Sequence, residues 1–193
     1  MEKVCLVIGA GAGIGGTVAK RFAKEGYHAY LARRTDEEGL EKLITQISDD
    51  GGKASGSLLN VIEENSIEDL VNKIESEIGP IDTVIYNIGA QIGDRSLAET
   101  SYKAFEMGWR IATFGLFRLA QVVTPKMKER QGGNIIVTSA TSAVRGNKGQ
   151  HSHAAAMGGR RMLCQSLNAE FAKDGIHVAL SLIHISEPTR QHH

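Results

Sequence analysis

Histidine is the side chain whose ordinary pKa, about 6.5, lets it give or take a proton near neutrality. Two of the seven histidines of this chain stand in HSHAAAMGGRR, residues 151 to 161. An imidazolium at His153 would be an acid for a carbonyl oxygen within hydrogen-bond reach. Metal binding by His151 and His153 is a poorer reading, because positions i and i+2 do not share a helix face and no third ligand stands near. The plainest alternative is a polar helix start.

A second chemical signal is GAGAGIGG, residues 9 to 16. Glycines there permit a tight turn and close approach of backbone N–H groups to a pyrophosphate, and the following helix N-terminus favours an anion. Two registers compete: Gly9, Gly13 and Gly15 as GxxxGxG, or Gly11, Gly13 and Gly16 as GxGxxG. A third signal is LARRT, residues 31 to 35. Ala32 stands where an NAD site usually puts an acid for the ribose 2′-hydroxyl, and Arg33 and Arg34 suit a 2′-phosphate through charge-assisted forks. Asp36, about 20 residues beyond the loop, is the rival for the ribose, but reads better in the first turn of a helix. NADP is therefore expected over NAD.

These groups need a frame that sets them at one edge. Short apolar runs alternate with longer amphipathic ones: strands over residues 3 to 9, 28 to 32, 55 to 61, 81 to 89, 133 to 140 and 175 to 183, and helices over 13 to 26, 36 to 52, 64 to 79, 101 to 130 and 152 to 173. Pro125 is expected to end or kink the long helix. Strands apolar on both faces, alternating strictly with helices, predict an α/β fold: a doubly wound parallel sheet (a Rossmann fold) in three layers, α/β/α. Ligands then bind at the carboxyl ends of the strands.

The 193 residues suit one domain, able to bury about 70% of its unfolded surface, and neither repeat nor linker interrupts them. With 22 basic and 22 acidic residues, no nucleic-acid footprint and no membrane-surface charge is visible. VCLVIGA near the N-terminus is too short for a membrane span or signal segment. Cys5 and Cys164 lie in apolar runs and read as buried free thiols in a reducing, cytoplasmic setting. Trp109, Phe105 and Phe114 are expected to pack core. Gly158 and Gly159 are expected to allow close helix packing.

The chain resembles the short-chain dehydrogenase/reductase family. The resemblance rests on Gly9, Gly13 and Gly15 after the first strand, and on YNIGA, residues 86 to 90, where the family has NNAG and Asn87 and Gly89 match. It implies cofactor contacts at Gly9, Gly11, Gly13, Ile14, Gly15, Arg33, Arg34, Asn60, Val61, Asn87 and Gly89. It also shows a divergent member. The family's Tyr-x-x-x-Lys pair aligns with His153 and Met157, its carbonyl-polarising serine with Ala140, and its helix asparagine with Ala112. An aspartate usual near the adenine is Asn60 here. Ser139 or Thr141, each one residue off, would take the oxyanion role, and His153 the proton. Arg160 and Arg161, a further turn along, are expected to lie away from the nicotinamide end.

Two functions are open to such a chain. One is an NADP(H)-dependent oxidoreductase passing hydride to or from an unknown carbonyl or alcohol. The other is a catalytically silent nucleotide-binding or interaction domain. A homo-oligomer formed through the helices at 101 to 130 and 152 to 173 is expected from the family. From Leu180 the pattern is lost, and LSLIHISEPTRQHH resembles read-through of a sequencing adapter. The expected domain is therefore 1 to 179, with 180 to 193 a non-native tail, a truncated C-terminus and the last strand or strands missing.

Overall fold

Strand β1 (Val4–Ile8), VCLVI, is buried at every position, as a central strand covered on both faces must be. The computed structural model describes residues 2–89 and 96–183. Helix α1 (Ile14–Lys24) follows the glycine loop, then β2 (His28–Arg33), α2 (Glu37–Asp49), β3 (Lys53–Leu58), α3 (Ser66–Glu77) and β4 (Ile81–Tyr86). After a segment outside the described residues come α4 (Tyr102–Trp109), a π-helical turn at Arg110–Phe114, α5 (Gly115–Glu129), β5 (Gly133–Ala140), α6 (His151–Phe171) and β6 (Ile176–Ile183).

The strands form one parallel sheet in the order β3-β2-β1-β4-β5-β6. The order reverses between β1 and β4, and a doubly wound sheet opens its ligand crevice at that switch. Ala19 and Ala23 of α1 and Leu40, Leu43 and Ile47 of α2 pack one face of the sheet. Residues of α3, α5 and α6, among them Val71, Leu119 and Leu167, pack the other. The expected three layers are there. Hydrogen bonding of β6 to β5 continues through Leu180–Ile183, ending at the pair Ala140 and Ile183. Residues 184 to 193 lie outside the described residues.

Three details differ from the sequence expectation. Pro125 does not end its helix: α5 continues to Glu129. Proline removes only the helix bond to the carbonyl of Gln121, an exposed residue, while the buried Met127 anchors the last turn. The helix expected over 101 to 130 is not one α-helix, because the Gly115 N–H reaches back five residues to the Arg110 carbonyl. Inside that turn the Tyr86 hydroxyl donates to the Ile111 carbonyl, and the Ala112 carbonyl accepts from Arg160. Finally, Phe105 and Trp109 are both 43% exposed rather than core. Trp109 stacks on Phe114, which stacks on Phe117, along the outside of α4 and α5.

Candidate active site

The glycine loop owes its shape to contacts at its base. Gly9 holds φ +91°, and a Cβ there would overlap the Asn87 carbonyl. At Gly15 a Cβ would overlap the Gly9 carbonyl, and at Gly16 it would press on the Gly11 carbonyl. By contrast, nothing among the described residues lies within 4 Å of a Cβ placed on Gly11 or Gly13. Both sequence registers thus have a part: Gly9, Gly15 and Gly16 close the packing, and Gly11 and Gly13 leave the outer side open. Helix α1 starts there with no side-chain cap on its first amides and no acid in its first turn, so its N-terminal field is left for an anion. Ile14, in that first turn, is exposed.

Beside the loop, at the carboxyl ends of β1 to β4, lies a cleft of about 730 Å³. Gly9, Gly11, Arg33, Arg34, Asn60, Val61, Asn87 and Gly89 all line it, so the structure gathers these predicted cofactor residues in one place. Ile88, Met107 and Ile111 complete the wall on the β4 side. Sequence reasoning missed Met107 and Ile111, whose apolar character reads equally well as helix core.

Each edge of the cleft is braced. Asp36 caps α2, its side chain accepting from the Gly39 N–H at 3.0 Å, and it pairs with Arg33 at 2.9 Å. Asp36 is thus the helix residue expected, and it also orients the first of the two arginines, while Arg34 is exposed. Arg118, paired with Glu68, donates to the Val61 carbonyl at 3.0 Å, and the Ser66 hydroxyl donates to the Asn60 carbonyl at 2.8 Å. The Asn87 amide donates to the Gly9 carbonyl at 3.0 Å and accepts from the Thr138 hydroxyl at 2.9 Å. One side chain thereby locks β4, β5 and the glycine loop together.

The other sequence-predicted residues are not among those lining the cleft. His153 is half-buried in the first turn of α6, beside Ser152, whose hydroxyl donates to the Phe105 carbonyl at 3.2 Å. Thr141 opens the turn after β5 and is half-buried, as is Ala140. The Ser139 hydroxyl is buried, 3.8 Å from the Met157 sulfur. Met157 packs with Ala112, Ala143 and Ala156 in a small apolar cluster of its own. Gly159 lets α6 approach the π turn, where a Cβ would stand 3.2 Å from the Thr113 hydroxyl; a Cβ on Gly158 meets nothing within 4 Å among the described residues.

Arg160 corrects one expectation. It is 1% exposed and turns inward, donating to the carbonyls of Ala112 at 3.1 Å, Thr138 at 2.8 Å and Ile88 at 2.8 Å. Ile88 lines the cleft, so this arginine lies behind the cleft wall rather than away from it. Helical spacing carried the signal, since 153, 157 and 160 share a face. Ser142, also buried, has a hydroxyl without a hydrogen-bond partner among the described residues, and no spacing argument pointed to it.

The family model of short chain dehydrogenases matches residues 3–184. The chain belongs to the short-chain dehydrogenase family. A 2-dehydro-3-deoxy-D-gluconate 5-dehydrogenase of Formosa agariphila is 31% identical over 176 residues, which are 91% of this chain and 66% of that protein. A 3-oxoacyl-acyl-carrier-protein reductase of Thermotoga maritima is 30% identical, over 91% of this chain and 71% of its own length. Among solved structures, a short-chain dehydrogenase from Rhodopseudomonas palustris superposes with TM-score 0.88 at 31% identity, covering 92% of this chain and 82% of that one. An actinorhodin polyketide ketoreductase variant solved with NADPH gives TM-score 0.86 at 30% identity, over 93% and 69% of the two chains. This short-chain dehydrogenase thus spans about two thirds of its first relatives' lengths.

Proposed function

We propose that this chain is an NADP(H)-dependent oxidoreductase acting on a small carbonyl or alcohol substrate. The observation that carries the reading is the braced cleft, with the open side of the glycine loop beside it and two arginines at the end of β2. Gly11 and Gly13 and the uncapped first turn of α1 fit a pyrophosphate. Arg33, held by Asp36, and the exposed Arg34 would grip a ribose 2′-phosphate. Asn60, Val61, Asn87 and Gly89 would border the rest of the dinucleotide. That group, when bound, supplies a transferable hydride. His153 would hold the proton for the substrate oxygen, and Ser139 or Thr141 would donate to that oxygen. The ketoreductase solved with NADPH supports a nicotinamide dinucleotide, and a fold neighbour, a 7α-hydroxysteroid dehydrogenase, was solved with NADH. The two arginines carry the choice of NADP.

One observation favours the second reading, a nucleotide-binding domain without turnover. Met157 and Ala112, at the positions where the family resemblance would put a lysine and an asparagine, are sealed into an apolar cluster with the Ser139 hydroxyl turned toward the sulfur. Titration with NADPH and NADH tests the first step. Arg33→Ala is expected to weaken NADPH about 10- to 100-fold, the scale of one charge-assisted phosphate fork, and NADH little. Equal affinity of the two cofactors for the parent chain would remove the NADP assignment. Turnover abolished by His153→Ala would then separate enzyme from silent domain.

Two further parts of the proposal concern its setting. Buried thiols at Cys5 and Cys164 suit the reducing cytoplasm, and among the described residues no helix is long and apolar enough to cross a membrane. A second copy of this chain would cover the aromatic ladder of α4 and α5 together with the exposed Met162 of α6. Trp109→Glu is expected to shift sedimentation from an oligomer to a monomer. A parent chain that sediments as a monomer at micromolar concentration would end that part of the proposal.

A further inference from the structure

We infer that Arg160 is a positioning residue for the nicotinamide half of the cleft, where its fixed positive charge biases the bound dinucleotide toward the reduced form. This rests on the dinucleotide reading above. With the pyrophosphate at the β1–α1 turn and the 2′-phosphate after β2, the nicotinamide half falls beyond β4. That is where Arg160 is anchored. Its three carbonyl partners come from three segments: Ile88 after β4, Thr138 in β5, and Ala112 in the π turn.

None of these partners is a carboxylate, and Arg160 takes part in no ion pair among the described residues. Its guanidinium carbon lies 5.3 Å from the centre of the Tyr86 ring, a favourable but weak compensation. The titratable neighbours do not cancel it. Burial pushes the Cys164 thiol up to about 11 and the Tyr86 hydroxyl higher still, so both are neutral at pH 7. An arginine keeps its proton in proteins even though burial works against the charge here. The result is a buried, un-neutralised cation. Such an arrangement is costly where an apolar side chain of similar volume would fill the space.

The two redox forms of the cofactor differ by one positive charge on the nicotinamide ring and share the rest. A cation behind the Ile88 carbonyl therefore opposes the oxidised ring and leaves the neutral reduced ring untouched. A purely structural clamp would affect both forms alike. Through Thr138, whose hydroxyl donates to Asn87, which in turn donates to Gly9, the same residue fixes the cleft wall against the glycine loop.

The experiment measures dissociation constants of NADPH and NADP+ separately, for the parent chain and for Arg160→Lys, Arg160→Met and Arg160→Gln. The expected result is tighter NADPH binding by the parent chain and a similar ratio in Arg160→Lys, which keeps the charge. Both neutral variants should lower that ratio about tenfold, the scale of one partly screened unit charge acting on another, whatever happens to absolute affinity or melting temperature. Arg160→Gln keeps a donor for one carbonyl and serves if Arg160→Met fails to fold. An unchanged ratio in a folded neutral variant, or equal affinities in the parent chain, would overturn the inference and leave the cofactor reading intact. A folded parent chain that binds neither form would overturn the cofactor reading, and this inference with it.

Discussion

Gly9→Ala is expected to destabilise the chain by about 3–5 kcal/mol, against a total of about 5–15 kcal/mol for a domain. The loss has two sources. A left-handed backbone costs a residue with a Cβ roughly 1–2 kcal/mol, and Gly9 holds φ +91°. The added carbon also overlaps the Asn87 carbonyl, which is backbone and has no rotamer to escape into. Moving it strains the Asn87 bridge to Gly9 and Thr138. Thermal melting should fall by roughly 10–15 °C, the scale for a chain of this size. Gly11→Ala is the control: its Cβ meets nothing within 4 Å among the described residues, so stability should stay within about 0.5 kcal/mol while NADPH binding weakens. A Gly9→Ala protein that melts like its parent would refute the packing account of the loop.

The second large effect belongs to Met157→Lys, which puts an amine into the small apolar cluster at α6. The side chain is 2% exposed among alanines, and no carboxylate is in that cluster. An ammonium there must desolvate or give up its proton, so the variant should lose about 3–4 kcal/mol at pH 7. The loss depends on pH with a definite sign. Burial depresses the pKa of the introduced amine in the folded state, so the unfolded chain binds that proton more readily. The deficit is then largest near neutrality and shrinks as pH rises toward about 10.4. Urea denaturation at pH 6.5 and 9.5 reads both. A deficit independent of pH would mean that the amine reaches water, and that α6 is looser than its packing implies.

Most of the frame was legible because it rests on short-range rules. VCLVI is apolar at both alternations and became the central strand; the glycines and LARRT met at one cleft because a parallel sheet brings its strand ends together. The features that were not legible depend on contacts between distant segments. Phe105 and Trp109 look like core by composition, yet α4 turns them outward. Arg160 looks like a solvated charge, yet three carbonyls 22 to 72 positions away draw it inside. The π turn is invisible to hydrophobic period, and the side chains that bond its carbonyls, Tyr86 and Arg160, come from distant segments.

That π turn also fixes how the gene is able to change length. Its five-residue step holds one residue more than an α-helical turn of the same span, and each residue removed from a helix rotates the remainder of that helix by about 100°. Losing a single codon between Arg110 and Phe114 would heal the helix locally. It would leave Leu116, Leu119, Val123 and Met127 of α5, all fully buried, on the sheet side, whereas a codon lost from the regular α-helical part of α4 would swing them toward solvent. Within the helix pair a one-residue deletion is therefore expected to be tolerated at Arg110–Phe114 and not elsewhere along it.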